Sequence, residues 1–112
     1  MQYIDEAALQ AAVVKAVKKR WPEAWVFHPV GGPFQEAGVP DLLMCVEGRF
    51  VGIELKHQKR HETEEAARLR TTPRQRAQIR RIRKAGGSAG TALTVQEALD
   101  IIERGLSREN QE

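Results

Sequence analysis

Two acids and a lysine occur at spacings that could bring them together on a pair of neighbouring strands. The run RFVGIELK predicts a strand in which Glu54 and Lys56 point to the same face. Asp41 starts the preceding apolar run, and a hairpin turning at Glu47-Gly48 would place it near Glu54. Two carboxylates about 4 Å apart repel by roughly 4 kcal/mol at an effective dielectric of about 20. A divalent cation between them would reverse this sign, and hard oxygen ligands select Mg²⁺ or Mn²⁺.

The same residue types allow plainer interpretations. Glu54 and Lys56 could form an ordinary ion pair on a half-exposed strand. Glu6 borders the apolar stripe of the first predicted helix and could reach a metal site from there. It could equally favour the helix N-terminus electrostatically, an effect worth roughly 0.3 kcal/mol. Spacing alone leaves both pairs of alternatives open.

The elements that must position these residues can be predicted from hydrophobic periodicity and capping signals. Pro22 ends the first helix, and Thr72-Pro73-Arg74-Gln75 has the features of a capping box with proline at the first helical position. We predict helices over 5–20, 72–86 and 94–105, and strands over 25–27, 41–46, 49–56 and 88–93. The order α-β-β-β-α-β-α predicts an α/β fold with a mixed central sheet flanked by helices.

The remaining segments carry weaker signals. Residues 57–70 are dense in charge and predict an exposed, mobile segment, in which EEAARL could form a helical turn. We expect one domain over 1–105 and a frayed tail over 106–112. Trp21, Trp25 and Phe27 are predicted to pack in the core, with stacking on bases as the alternative, and Cys45 is predicted to be buried. Phe34, in a glycine-rich loop, could contact DNA or a partner subunit.

Composition limits the class of protein. A single cysteine, Cys45, excludes an internal disulfide and a cysteine-based zinc site, which favours a reducing, cytoplasmic setting. We expect neither a signal peptide nor a membrane span, because the N-terminus has no basic start and no apolar run is long enough.

The net charge is +3, and many of the positively charged residues are concentrated in one stretch of the sequence. Such clustering suggests a polyanionic partner, although a solvated helix face would have the same composition. The positively charged residues of this stretch are Arg68, Arg70, Arg74, Arg76, Arg80, Arg81, Arg83 and Lys84.

Five short motifs resemble a known family. Pro40-Asp41, then twelve intervening residues, then Glu54-Leu55-Lys56 is similar to the PD-(D/E)xK nuclease signature. The surrounding motifs narrow the resemblance to the VRR-NUC domain, the virus-type replication-repair nuclease, in a stand-alone form covering roughly Ile4 to Ile102. These are Glu6-x-x-Leu9-Gln10, Gly38-Val39-Pro40-Asp41-Leu42, Ile53-Glu54-Leu55-Lys56, Thr72-Pro73-x-Gln75 and Ala85-Gly86-Gly87.

This resemblance implies roles for individual residues. Asp41 and Glu54 match the family's metal-binding acids, with the backbone carbonyl of Leu55 as a further ligand of Mg²⁺ or Mn²⁺. Lys56 matches the lysine that orients or activates the attacking water, and Glu6 matches a helix acid that assists the site, with an indirect effect on the metal.

Gln75 matches a glutamine beside the family's site, although the capping box explains this residue equally well. Relatives often carry a polar residue, commonly asparagine, where Val30 precedes Gly31-Gly32, so we assign this loop no catalytic role. Gly38 and Pro40 are expected to shape the approach to Asp41.

The function implied by the resemblance is a metal-dependent, structure-selective DNA endonuclease. Its expected substrate is branched DNA such as four-way (Holliday) junctions, in DNA repair, and a homodimer is expected in a bacterial or phage-infected cell. No organic cofactor and no membrane association are expected. Two alternatives stay open, a DNA-binding module with a degenerate nuclease site and a nuclease acting on RNA. The predicted DNA-binding residues are Arg74, Arg76, Arg80, Arg81, Arg83 and Lys84.

Overall fold

The computed structural model describes residues 3–33 and 35–110, with the side chains of 108–110 left aside. The element order confirms the predicted α/β fold and adds one short helix to it. The elements are α1 (Glu6–Arg20), β1 (Trp25–Phe27), β2 (Leu42–Val46), β3 (Arg49–Leu55), α2 (Glu64–Leu69), α3 (Pro73–Lys84), β4 (Ser88–Ala92) and α4 (Val95–Asn110).

The four strands form one mixed sheet in the order β1-β2-β3-β4. The first three strands are antiparallel, whereas β4 runs parallel to β3 after a connection through α2 and α3. Glu47 and Gly48 have φ angles of 49° and 81°. Two positive φ angles define a tight turn whose twist suits a hairpin, which sets the predicted register from Val46 opposite Arg49 to Leu42 opposite Ile53.

Helices cover the two faces of the sheet unequally. The core joins α1, α4 and the inward residues of β2 and β3, among them Val13, Ile53 and Ile102. On the opposite face, the strands that α3 packs against are β3 and β4. Its Ile82 lies against Gly52 of β3. Both faces of β3 are therefore covered, and every residue from Val51 to Lys56 is buried.

One helix confirms a sequence prediction and another contradicts its predicted end. Helix α2 forms over the residues EEAARL, where a helical turn is expected, and Thr63 caps it by accepting from the backbone N–H of Ala66. Helix α4 continues through Gly105 to Asn110, so the predicted end near Gly105 is wrong. A β-carbon at position 105 would lie 2.8 Å from the Ser88 Cβ. This glycine therefore permits close helix–strand packing, while the domain boundary at 105 stays a prediction and residues 111–112 lie outside the described part.

The prediction that the aromatic residues and Cys45 belong to the core is only partly correct. Trp21 is buried, but Trp25 is 55% exposed, Phe27 is 47% exposed and Cys45 is also exposed. They lie on β1 and β2, on the same sheet face as α3 but on strands that α3 does not cover. Phe34 lies outside the described residues. In the described part of the chain, no helix has both the length and the apolar character needed to cross a bilayer.

Candidate active site

Asp41 lies where β2 begins, at the end of the hairpin away from its turn. The register that pairs Leu42 with Ile53 places Asp41 opposite Glu54. The Asp41 Oδ2 atom accepts a hydrogen bond of 2.8 Å from the backbone N–H of Leu55. This bond fixes the carboxylate across the two strands, at the position that the hairpin predicted.

Glu54 is a carboxylate inside the protein. It is only 2% exposed, because α3 covers the face of β3 to which it points. Its Oε2 accepts from the Gln75 amide at 2.8 Å and lies 3.1 Å from the Lys56 Nζ. Among the described residues its Oε1 has no hydrogen-bond partner. A buried carboxylate oxygen without a partner is costly, so this atom points to a missing ligand.

Burial and, after it, the negative charge of Asp41 raise the pKa of Glu54 to about 7. Lys56 opposes this shift through its charge and its hydrogen bond, but it does not cancel it. Desolvation and a like charge both disfavour ionisation of a carboxyl group. A cation bound to both carboxylates would remove the repulsion and favour the ionised form.

The donor atoms fit a divalent metal of the Mg²⁺ class. Mg²⁺ is usually held by one or two carboxylates together with waters and substrate phosphates. Asp41 and Glu54 supply two such carboxylates, one with an oxygen that lacks a partner. No group of three Asp, Glu, His or Cys side chains suited to a metal occurs in residues 3–33 and 35–110. The remaining ligands would therefore come from waters, substrate and backbone, for which Leu55 stays the predicted source.

Gln75 both completes the capping box of α3 and contacts Glu54. Its side-chain oxygen accepts from the Thr72 backbone N–H at 2.9 Å, which completes the capping box. Its amide nitrogen donates to Glu54 at 2.8 Å. One glutamine thus starts α3 and orients the buried carboxylate, because its two polar atoms serve different partners.

Glu6 does not join the two buried carboxylates. It is exposed in the first turn of α1, where its charge suits the helix N-terminus. Its Oε1 accepts from the His57 backbone N–H at 3.4 Å and lies 3.9 Å from the Arg70 guanidinium. Glu6 is therefore close to the residue that follows Lys56, and its predicted assistance to the site stays a prediction.

Arg70 and Glu62 form an ion pair that sequence analysis missed. The Arg70 Nε and NH2 atoms donate to the two Glu62 oxygens at 2.8 and 3.0 Å, and NH2 also donates to the His57 carbonyl. These hydrogen bonds hold the pKa of Glu62 at about 2. The pair ties down the segment that leaves β3 directly after Lys56. Its spacing of eight residues across a loop and a helix matches no local pattern that could have predicted it.

The cations of α3 are all exposed side chains, namely Arg74, Arg76, Arg80, Arg81, Arg83 and Lys84. Two of them also contact other parts of the protein. Arg81 pairs with Glu36 at 2.5 Å, and the Arg83 Nε donates to the Ala89 carbonyl at 2.8 Å. Arg83 therefore also supports the connection to β4, which the predicted DNA-binding role did not include.

Gly38 holds the loop before Asp41 against the start of α3. Its φ is +81°, and an added Cβ would lie 2.5 Å from the backbone oxygen of Arg74. We expect Gly38→Ala to lower the free energy of unfolding by roughly 3 kcal/mol, because it adds a steric clash to a left-handed backbone strain. Urea unfolding followed by circular dichroism measures this change.

Gly31→Ala is the matched control, since Gly31 has a φ of +84° and open space around its would-be Cβ. It should cost only about 1 kcal/mol, the strain alone. Equal losses in the two variants would show that the contact with α3 contributes nothing.

Comparisons with known proteins identify the fold. No protein-family model matches this chain, and no curated protein matches it. A solved structure described as a VRR_NUC domain matches it with a TM-score of 0.55 and 22% sequence identity. The match covers 83% of this chain and 92% of that one. The chain therefore has the fold of a VRR_NUC domain, as the motifs predicted, and at this identity the likeness establishes the fold alone.

Proposed function

We propose that this protein is a metal-dependent nuclease that hydrolyses phosphodiester bonds. The observation that carries the proposal is the buried Glu54 carboxylate, which faces Asp41 and has an oxygen without a partner among the described residues. Buried charges of this kind are kept in proteins when they are paired or bind metal. The VRR_NUC-like fold and the Lys56 ammonium next to Glu54 support the same chemistry.

The residues would divide the work of hydrolysis. In the reaction a water oxygen forms a bond to phosphorus, and the bond from phosphorus to the leaving sugar oxygen breaks. A metal bound by Asp41 and Glu54 would stabilise the phosphoryl charge and lower the pKa of a bound water. Lys56 would position the water or neutralise the phosphate, and Gln75 would keep the Glu54 carboxylate in its orientation.

The proposed substrate is branched DNA, and the proposed active form is a homodimer. Both follow from the family resemblance, since a two-fold dimer could cut symmetric strands of a four-way junction. The exposed arginines of α3 support a phosphate-backbone contact, which carries no sequence information by itself.

The test is cleavage of end-labelled nucleic acids by the purified protein. A four-way junction, a flap, a linear duplex, a single strand and an RNA single strand are each incubated with Mg²⁺, Mn²⁺ or EDTA. We expect paired cuts in the junction with either metal and none with EDTA. Light scattering with and without DNA measures the oligomeric state, and a monomer under both conditions would contradict the proposed dimer.

The other outcomes separate the alternative functions. Cleavage of RNA in preference to every DNA would keep the chemistry and replace the substrate. Binding of DNA without cleavage under any metal would contradict the nuclease and leave a binding module. The latter is disfavoured by the intact set of Asp41, Glu54 and Lys56.

The α3 arginines make a prediction that salt titration can measure. Arg76→Ala combined with Arg80→Ala should weaken binding to all DNA sequences alike and reduce the slope of log affinity against log salt by about two. Arg20→Ala, an exposed arginine in the last turn of α1, is the matched control. An unchanged slope in the α3 variant would show that this helix face is only solvated.

A further inference from the structure

An aromatic surface lies on the same face of the sheet as Glu54. Trp25 and Phe50 both pair with Cys45 in the antiparallel ladders, and Phe27 pairs with Leu43, which pairs with Gly52. Directly opposed residues of antiparallel strands point to the same face. Because side chains alternate along a strand, Phe50, Gly52 and Glu54 share that face.

We define the aromatic surface as Trp25, Phe27 and Phe50, whose side chains are exposed to solvent. Phe50 is 43% exposed, and the other two are about half exposed. The Trp25 and Phe27 rings stack with centroids 5.8 Å apart and planes 7° apart. The two rings therefore form one stacked aromatic unit, with about half of each side chain open to solvent.

This surface has cations beside it. A groove runs from Phe50 along the C-terminal half of α3, and its lining includes Ile82, Arg81 and Lys84. The cavity beside Trp25, on the side away from α3, is lined by charges of both signs, which are Arg20, Glu23 and Glu47. The cations of the groove, Arg81 and Lys84, lie on α3, and Arg81 also pairs with Glu36. The aromatic surface is thus bordered by cations on its α3 side and by mixed charge on the other side. A polyanion with flat apolar groups fits this arrangement.

We propose that the aromatic surface binds unpaired nucleotides of the substrate, by stacking of their bases on Trp25, Phe27 and Phe50. Exposed aromatic rings next to a positively charged groove are the recurring features of single-strand binding, which tolerates any base sequence. Glu54 lies four residues beyond Phe50 on β3, a distance of about 13 Å along an extended strand. Bases held here would leave their backbone within reach of the carboxylates.

The inference depends on the proposed nuclease function only in naming nucleic acid as the occupant. It adds that bases unstacked or unpaired at the branch point of the substrate are held beside the bond to be cut. All binding measurements are therefore made in EDTA, so that binding is measured without cleavage. The failure of the proposed binding site and the failure of the proposed nuclease activity are then recognised separately.

The first experiment uses tryptophan fluorescence. The chain has two tryptophans, and Trp21→Phe leaves the exposed Trp25 as the only indole. Titration with a single-stranded oligothymidine of about 15 nucleotides should quench this fluorescence, because a stacked base contacts the ring directly. In the converse variant Trp25→Phe, the buried Trp21 should not respond. An unquenched Trp25 at saturating oligonucleotide would overturn the inference.

The second experiment measures affinity by anisotropy of the labelled oligothymidine. Trp25→Ala with Phe27→Ala should weaken single-strand binding about tenfold or more, whereas Trp25→Phe should keep it within about threefold. Leu69→Ala removes another exposed apolar side chain, on α2, and should have no effect. Circular dichroism and thermal midpoints establish that each variant is folded.

Two results would contradict the proposed binding site. Equal weakening of a blunt duplex and of the single strand would show a general loss of DNA binding instead of base stacking. Unchanged single-strand affinity with a shift from dimer to monomer in light scattering would assign the aromatic surface to a contact between two copies of the chain. Quenching of Trp25 by the oligonucleotide without cleavage of any substrate in metal would keep this inference and reject the nuclease.

Discussion

Asp41→Asn should reduce metal-dependent cleavage by about 1,000-fold without unfolding the protein. A metal acting on a phosphoryl group contributes several kcal/mol to transition-state stabilisation, and a loss of about 4 kcal/mol corresponds to that factor. Asparagine keeps an oxygen that can accept from the Leu55 N–H, so the 2.8 Å hydrogen bond between the strands can survive. The measurement is single-turnover cleavage of the best substrate from the panel, in Mg²⁺ and in Mn²⁺.

Asp100→Asn is the matched control, because it makes the same chemical change on α4, far along the chain from the site. It should cleave at the wild-type rate. Cleavage by Asp41→Asn within about tenfold of wild type would mean that this carboxylate does not hold the catalytic metal. A thermal midpoint several degrees lower would instead show that its hydrogen bond to Leu55 is mainly structural.

Glu54→Gln should make the metal-free protein more stable above neutral pH. In the folded protein the Glu54 pKa is raised from about 4.5 to about 7. A group whose folded-state pKa is raised contributes stability below its unfolded pKa and loses it as the pH rises through the folded value. We therefore expect the free energy of unfolding of the wild type to fall by on the order of 3 kcal/mol relative to that of the variant between about pH 4.5 and pH 7.5.

Urea unfolding in EDTA at several pH values measures this difference. All other ionisable groups are common to both proteins, so the variant minus wild-type difference isolates Glu54. Glu23→Gln, an exposed glutamate, should parallel wild type at every pH. A constant difference between Glu54→Gln and wild type across the range would contradict the raised pKa of this carboxyl group.

Local signals predicted the hairpin well because each of its determinants lies within a few residues. The turn at Glu47-Gly48 takes two positive φ angles, and Gly48 adopts its own at no steric cost, which is the local signal for the turn. Once that turn is placed, the pairing of every residue follows, including the position of Asp41 opposite Glu54. The capping box at Thr72 is equally local, and it placed the start of α3 correctly.

Long-range contacts account for what the sequence could not predict. The Arg70–Glu62 pair joins residues on either side of a loop and a helix. Gly105 has the local signal of a helix end, whereas its contact with Ser88 depends on how α4 packs against β4. The exposure of Trp25 and Phe27 depends on how far α3 extends over the sheet. A hydrophobic ring has the same local signal whether a helix covers it or not.

The sequence by itself determined the order of the elements, the hairpin register and the set of residues that could act together. Only the tertiary structure decided that Glu54 is a buried carboxylate and not half of a surface ion pair, since α3 must pack over β3 to exclude water from it. It also decided that Glu6 turns towards His57 and Arg70, while Gln75 reaches Glu54. The physical reason is that burial and charge pairing depend on segments that are distant in sequence, and their energies arise only when those segments pack together.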